Sequence, residues 1–259
     1  MTGTFWMQVA QLARRSIVRT IRQPAHVFPP LIFPLGLLAV NAGGLAPATK
    51  LPGFPTDSFL AFALAVPFIQ GALFATMNAG TDLARDIQTG FLNRLALTPL
   101  RGGALVAGLL SGVVVMGVVQ AGVYLTVGLL AGSGLASGVG GALVLLGLSA
   151  LVALGFGAVG ALLALRTGSG ESVQGLFPLL FVFLFVSSMN LPRNLIEIDW
   201  FRFAATANPV SYLIEGIRSL VITGWDGQAL ALAFGVGTAL AAVALAGSAV
   251  ALRGRMTRT

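Results

Sequence analysis

The chain has 259 residues, of which 56% are hydrophobic and only 9% charged, and its mean hydropathy is +0.93. A soluble domain carries roughly 25% charged residues, so water is excluded as its only solvent. The net charge of +7 does not describe a nucleic-acid surface, because the charges fall in clusters between apolar runs.

Residues 1–26 hold Arg14, Arg15, Arg19 and Arg22 and no unbroken apolar core, so no cleavable leader is expected. Over residues 4–22, helical spacing puts Phe5, Trp6, Val9, Leu12, Ala13, Ile17 and Ile21 on one face. Gln8, Gln11, Arg14, Arg15, Arg19 and Arg22 share the other, with Val18 the exception. A basic amphipathic helix with Trp belongs in the membrane interface, ended here by Pro24. It is either a simple anchor or a lever between cytoplasmic events and the first span.

Six apolar runs follow, roughly 27–46, 59–81, 103–131, 139–165, 173–191 and 227–251, none containing Asp, Glu, Lys or Arg. Each approaches the about 20 residues needed to cross the hydrocarbon core. Barrel strands would alternate apolar and polar residues, whereas these runs are apolar all round and predict helices. The expected fold is therefore an all-α integral membrane protein forming one transmembrane domain over 1–259. It comprises an interfacial helix (1–26), spans one to five (27–191), external helices (192–226), span six (227–251) and a cytoplasmic tail (252–259). Pro29, Pro30 and Pro34 in the first span, Pro67 in the second and Pro178 in the fifth bend or loosen their helices. Gly108/Gly112 and Gly128/Gly132 have the four-residue spacing that lets helices approach closely.

Between the second and third spans, Leu83, Ile87, Phe91 and Leu95 recur every four residues. They predict a short helix with one apolar face, stopped at Thr98-Pro99, with Arg85, Asp86, Asn93 and Arg94 projecting elsewhere. Before the last span, Asn208-Pro209 is a helix start. Val210, Leu213, Ile214, Ile217, Leu220 and Val221 keep helical spacing, Glu215 and Arg218 can pair three apart, and Gly224 is a stop. The helix is too short to span and is expected to dip into the outer leaflet or cap the bundle.

With both termini on one side, eleven of the 15 basic residues lie on that side and four on the other. The positive-inside rule then places both termini in the cytoplasm, as an even number of spans requires.

The chain contains no GxxxxGK[ST] loop, and its only lysine is Lys50 in an external loop, so ATP hydrolysis by that route is excluded. A single His26 and no cysteine leave no expected metal site and nothing to build a serine–histidine–acid hydrolase. Spans without ionisable residues argue against proton or sodium coupling. The mild polar groups Asn41, Gln70, Thr76, Asn78, Gln120, Tyr124, Ser187, Ser188 and Asn190 suit a path for a hydrophobic or amphiphilic cargo.

Two stretches carry a family resemblance. RDIQTGFLNRLALTPLRGG (Arg85 to Gly103) and NPVSYLIEGIRSLVITG (Asn208 to Gly224) resemble the loop after the second span and the segment before the last span of type-2 ABC transporter permeases, nearer to the daunorubicin and multidrug exporter branch. The order of elements is similar as well. The resemblance implies a permease subunit that is not itself an enzyme and binds no cofactor. It would export a drug- or antibiotic-like cargo with ATP and Mg held on a separate ATP-binding-cassette ATPase.

It assigns ATPase coupling to Asp86, Gly90, Arg94, Thr98, Pro99 and Arg101, with the loop from Arg166 to Glu171 as a second, shorter contact. Asn93 stands where the family often has an acid. It assigns closure of the outer side to helices carrying Asn208, Pro209, Tyr212, Glu215 and Arg218. The implied partners are the ATPase, a second permease copy or paralogue, and the plasma-membrane bilayer, with no nucleic acid. A lipid or glycolipid exporter of the same architecture, and a scaffold that transports nothing, are the rival expectations.

Overall fold

The computed structural model describes residues 2–91 and 102–256. Its α-helices run α1 Thr2–Ile21, α2 Pro24–Gly44, α3 Phe59–Ala63, α4 Ala65–Gln88, α5 Gly102–Leu130, α6 Gly138–Thr167, α7 Gly170–Phe185, α8 Asp199–Ala207, α9 Pro209–Ile222 and α10 Gly227–Met256. No strand occurs among the described residues. Five stretches there are long and apolar enough to cross a membrane: α2, α3 and α4 taken together, α5, α6 and α10. With the shorter apolar α7 as a sixth, the protein is an all-α integral membrane protein.

The central element is α4, buried at every residue from Ala65 to Phe74. It crosses α6 where both helices carry glycine. A Cβ on Gly160 would stand 2.0 Å from the Thr76 carbonyl oxygen, and one on Gly80 would stand 2.9 Å from the Gly160 carbonyl oxygen. Thr76 reinforces the crossing by donating to the Phe156 carbonyl at 2.9 Å. On the far side of α6, α10 packs through small residues, with Ser248 donating to the Ala158 carbonyl at 3.1 Å.

Three expectations change. First, the second span does not end near 81. Its helix continues to Gln88 and carries Asp82, Arg85 and Asp86, so Leu83 and Ile87 belong to that helix and not to a separate short one. Gly90, with φ of +67°, turns the chain beyond it, in the left-handed region that glycine enters without strain. The span breaks instead at its opposite end, at Leu64 between α3 and α4. Pro67 offers no N–H to the Ala63 carbonyl and its ring crowds that group.

Second, the run 173–191 is not one continuous helix. Ser169 caps α7 by accepting from the Ser172 amide at 3.3 Å, and the helix ends at Phe185 after 16 residues. At 1.5 Å per residue that is about 24 Å, short of the roughly 30 Å hydrocarbon core. Residues 186–191 form a turn, where Ser187 donates back to the Leu184 carbonyl.

Third, the expected apolar stripe of α1 is divided, with Val9, Leu12 and Ala13 packed on the bundle and Trp6 and Ile21 left exposed. Ser16 and Thr20 complete the inward seam. The cause is α5, whose Gly108 and Gly112 admit α1 so closely that a Cβ would meet Leu12 Cβ at 2.4 Å and Ser16 Oγ at 2.3 Å. The other spaced pair divides its work. Gly128 packs on Leu64, while Gly132 ends the helix at φ of +91°.

Candidate functional site

The expected coupling residues fall in two groups. Arg94, Thr98, Pro99 and Arg101, with Asn93 and Leu95, lie outside the described residues. The others gather at one end of the bundle. Gly168, in the left-handed conformation, caps α6 (φ +69°), and its carbonyl accepts from Gln88 Nε2 at 3.3 Å. That bond ties the end of α4 to the loop holding exposed Arg166 and Glu171. Arg255 at the end of α10 donates to the Leu165 carbonyl at 2.8 Å, so three helix ends meet there.

Asp86 faces α1, not open space. Arg19 bridges Asp82 (2.9 Å) and Asp86 (3.1 Å), and Arg15 reaches Asp86 at 3.0 Å. Both carboxylates are buried. Arg15 also lies over the Phe91 ring, 3.9 Å from its centroid, a cation–π contact. Arg15 and Arg19 are four residues apart on α1, and Asp82 and Asp86 four apart on α4. Equal spacing on two helices lets the pairs face each other. Helical spacing along α1 shows only that the arginines share a polar face, and not this match to α4.

The mild polar residues do not form one passage. Asn41 is half-buried near the C-terminal end of α2, Asn190 is exposed, and Gln70 is fully enclosed with both amide atoms unbonded. Two others, Asn78 and Tyr124, repair α2. Pro30 gives no N–H to the His26 carbonyl and Pro34 gives none to the Pro30 carbonyl. Asn78 of α4 donates to the former at 3.2 Å, and Tyr124 of α5 donates to the latter. Gln120 lies beside them, its Oε1 3.2 Å from where a Cβ on Gly71 would stand. In hydrocarbon such freed carbonyls have no water to turn to, so neighbouring side chains must supply the donors.

At the other end, α9 is not a loose cap. Its apolar face, Leu213, Ile214, Ile217 and Leu220, is buried in the main core, and Gly216 lets α10 in so closely that a Cβ would meet Ala233 Cβ at 2.3 Å. The opposite stripe clamps the chain that follows α7. Asn208 caps two helices at once: Oδ1 accepts from the Val210 amide at 2.9 Å, while Nδ2 donates to the Phe183 and Val186 carbonyls at 2.5 and 2.6 Å. Pro209 fills the first helical position. Ser211 Oγ accepts from the Ser188 amide at 3.1 Å, and Tyr212 donates to the Thr206 carbonyl at 2.8 Å.

The expected Glu215–Arg218 pair is not formed. Glu215 takes Arg193 at 2.5 Å, and Arg193 also lies over the Tyr212 ring. Burial opposes the Arg193 charge, but the Glu215 carboxylate and its hydrogen bond outweigh that and hold the guanidinium above its usual pKa. Arg218 turns inward to buried backbone carbonyls, which need donors more than the half-exposed Glu215 does.

No group of three or more His, Asp or Glu residues able to hold a metal occurs among the described residues. Comparison with known proteins matches residues 7–222 to the family model for the ABC-2 type transporter. The chain is also similar to the daunorubicin resistance ABC transporter permease protein DrrB1 of Streptomyces coeruleorubidus, 31% identical over 201 residues. The alignment covers 75% of this chain and 66% of that protein, so the chain spans just under two thirds of the relative's length.

Proposed function

Because this chain belongs to the ABC-2 type transporter family, we propose that it is the permease subunit of an ATP-driven exporter, moving a hydrophobic or amphiphilic, drug-like cargo outward. ATP and Mg are held by a separate ATPase. Two permease chains, identical or paralogous, stand over two ATPase subunits in the plasma membrane, with all termini cytoplasmic. The charge asymmetry along the sequence supports that orientation. The similarity to a daunorubicin resistance permease supports a drug-like cargo.

The observation that carries the reading is the meeting of α4, the Arg166–Glu171 loop and α10 at one end of the bundle, through Gln88 and Arg255. A push on that end is delivered directly to α4, which belongs to the most enclosed of the five membrane-length stretches. ATP binding would draw the ATPases together and shift the spans between inward and outward arrangements. It can shift them only as far as its contacts differ between the two. At the same end, the Arg19 bridge makes α1 move with α4, which favours the lever over the passive anchor.

The test is reconstitution of the chain with its co-purified ATPase in vesicles and a panel of amphiphiles. Cargo-stimulated ATP hydrolysis with outward transport is expected. Active transport by the chain alone would sink the proposal, and stimulation only by long-chain lipids would redirect it to a lipid exporter.

A further inference from the structure

The resemblance names Arg218 only as part of an outer helix, but in the structure it is a deeply buried cation with contacts of its own. Only 6% of it is exposed. Nε donates to the Phe62 carbonyl at 3.0 Å, and Nη2 donates to the Ser188 and Met189 carbonyls at 3.1 and 3.2 Å. The guanidinium also lies 3.5 Å from the centroid of the Phe62 ring. No carboxylate among the described residues is in ion-pair contact with it; Glu215, engaged by Arg193, attracts it only from a distance.

These acceptors are not scattered. Phe62 lies two residues before the α3–α4 break at Leu64, and Ser188 and Met189 lie in the turn that ends α7. Phe62 lies in the last turn of α3, whose final carbonyls find no amide within that helix, and the chain after α7 is an irregular turn; at membrane depth such backbone survives where protein supplies the donors. One planar group therefore joins three segments that are distant in sequence and meet at the outer end of the bundle.

We infer that Arg218 is a positioning residue for transport, a latch that holds the outer ends of α4 and α7 against α9 in the closed arrangement. The inference rests on the outward placement of α8 and α9 proposed above. The choice of acceptors explains why the latch can release. A buried guanidinium bound to a carboxylate is held by two charges, and separating them strands both. Bound to neutral carbonyls, it can exchange each bond for one to water as the outer end opens, because a neutral partner holds it less tightly. Lysine, with a point charge in place of the planar fork, cannot reach all three carbonyls in the same way.

The chain has no cysteine, so single cysteines can be labelled without a background. In the reconstituted, nucleotide-free complex, Ser188→Cys reports the latch, since Ser188 is fully enclosed. Lys50→Cys, in the exposed segment between α2 and α3, reports sidedness. A membrane-impermeant maleimide added outside should label Lys50→Cys in every background and Ser188→Cys only slowly. Arg218→Met should raise Ser188→Cys labelling at least fivefold below the melting temperature and reduce cargo moved per ATP. Arg218→Lys should fall between.

Unchanged labelling and coupling in folded Arg218→Met overturns the inference, as does a lowered melting temperature without faster labelling, the mark of a merely structural residue. If Arg218→Met does not insert, Phe62→Leu decides: removing the ring under the guanidinium must raise labelling at least twofold, and no rise overturns the latch. Failure of Lys50→Cys to label from outside would instead sink the orientation on which the inference rests.

Discussion

Tyr124 shows what a single polar side chain does inside this bundle. Its hydroxyl donates to the Pro30 carbonyl, which Pro34 leaves without an amide. Tyr124→Phe should cost about 1 kcal/mol, the usual net worth of such a bond, read as a lower melting temperature in detergent. Pro34→Ala would give that carbonyl an N–H within its own helix. The cost of Tyr124→Phe should therefore shrink in the Pro34→Ala background, and an equal cost in both backgrounds would reject this role. Arg19 is a costlier residue to remove, because Asp82 and Asp86 are both buried against it. Arg19→Ala should destabilise by about 3 kcal/mol, as breaking a buried pair from one side does. Exposed Arg14 should change stability by less than about 0.5 kcal/mol when replaced by Ala.

Helices were legible in the sequence where one cause sufficed. Apolar length marked α2, α5, α6 and α10, and Asn208-Pro209 marked the start of α9. Boundaries were not legible where two causes competed. Asp82, Arg85 and Asp86 read as lying beyond the span, the last two on a separate short helix, because they are charged, yet partners on α1 keep the two carboxylates on one continuous helix. Which part of the α1 stripe packs on protein was not legible, because Gly108 and Gly112, far along the chain, decide where α1 is admitted. The α4–α6 crossing shows the same non-local logic. Gly160→Ala would set a methyl group 2.0 Å from the Thr76 carbonyl oxygen and 3.1 Å from the Gly80 nitrogen. Both are backbone atoms and cannot swing away. The helices must part, at a cost of about 3 kcal/mol, read as loss of folded protein on gel filtration. Gly147→Ala, on the same helix with nothing within 4 Å, should be neutral or stabilising by up to about 1 kcal/mol, since alanine is the better helix former.

At the scale of the whole molecule, the same end of the bundle does two physically different things, and charge reversal separates them. Asp86 is an internal partner of Arg15 and Arg19, whereas Glu171 is exposed in the first turn of α7. Asp86→Lys would set a third cation against two arginines and should lower both the melting temperature and cargo-stimulated ATP hydrolysis. Glu171→Lys breaks no ion pair found among the described residues and should leave melting unchanged within about 0.5 kcal/mol, apart from a small cost for a cation at a helix N-terminus. If the exposed loop is where the ATPase grips, Glu171→Lys should still reduce cargo stimulation several-fold, and a reversed charge on the ATPase should restore it. Stimulation that survives Glu171→Lys intact would move the docking surface away from this loop and leave the end of α4 to carry the contact alone.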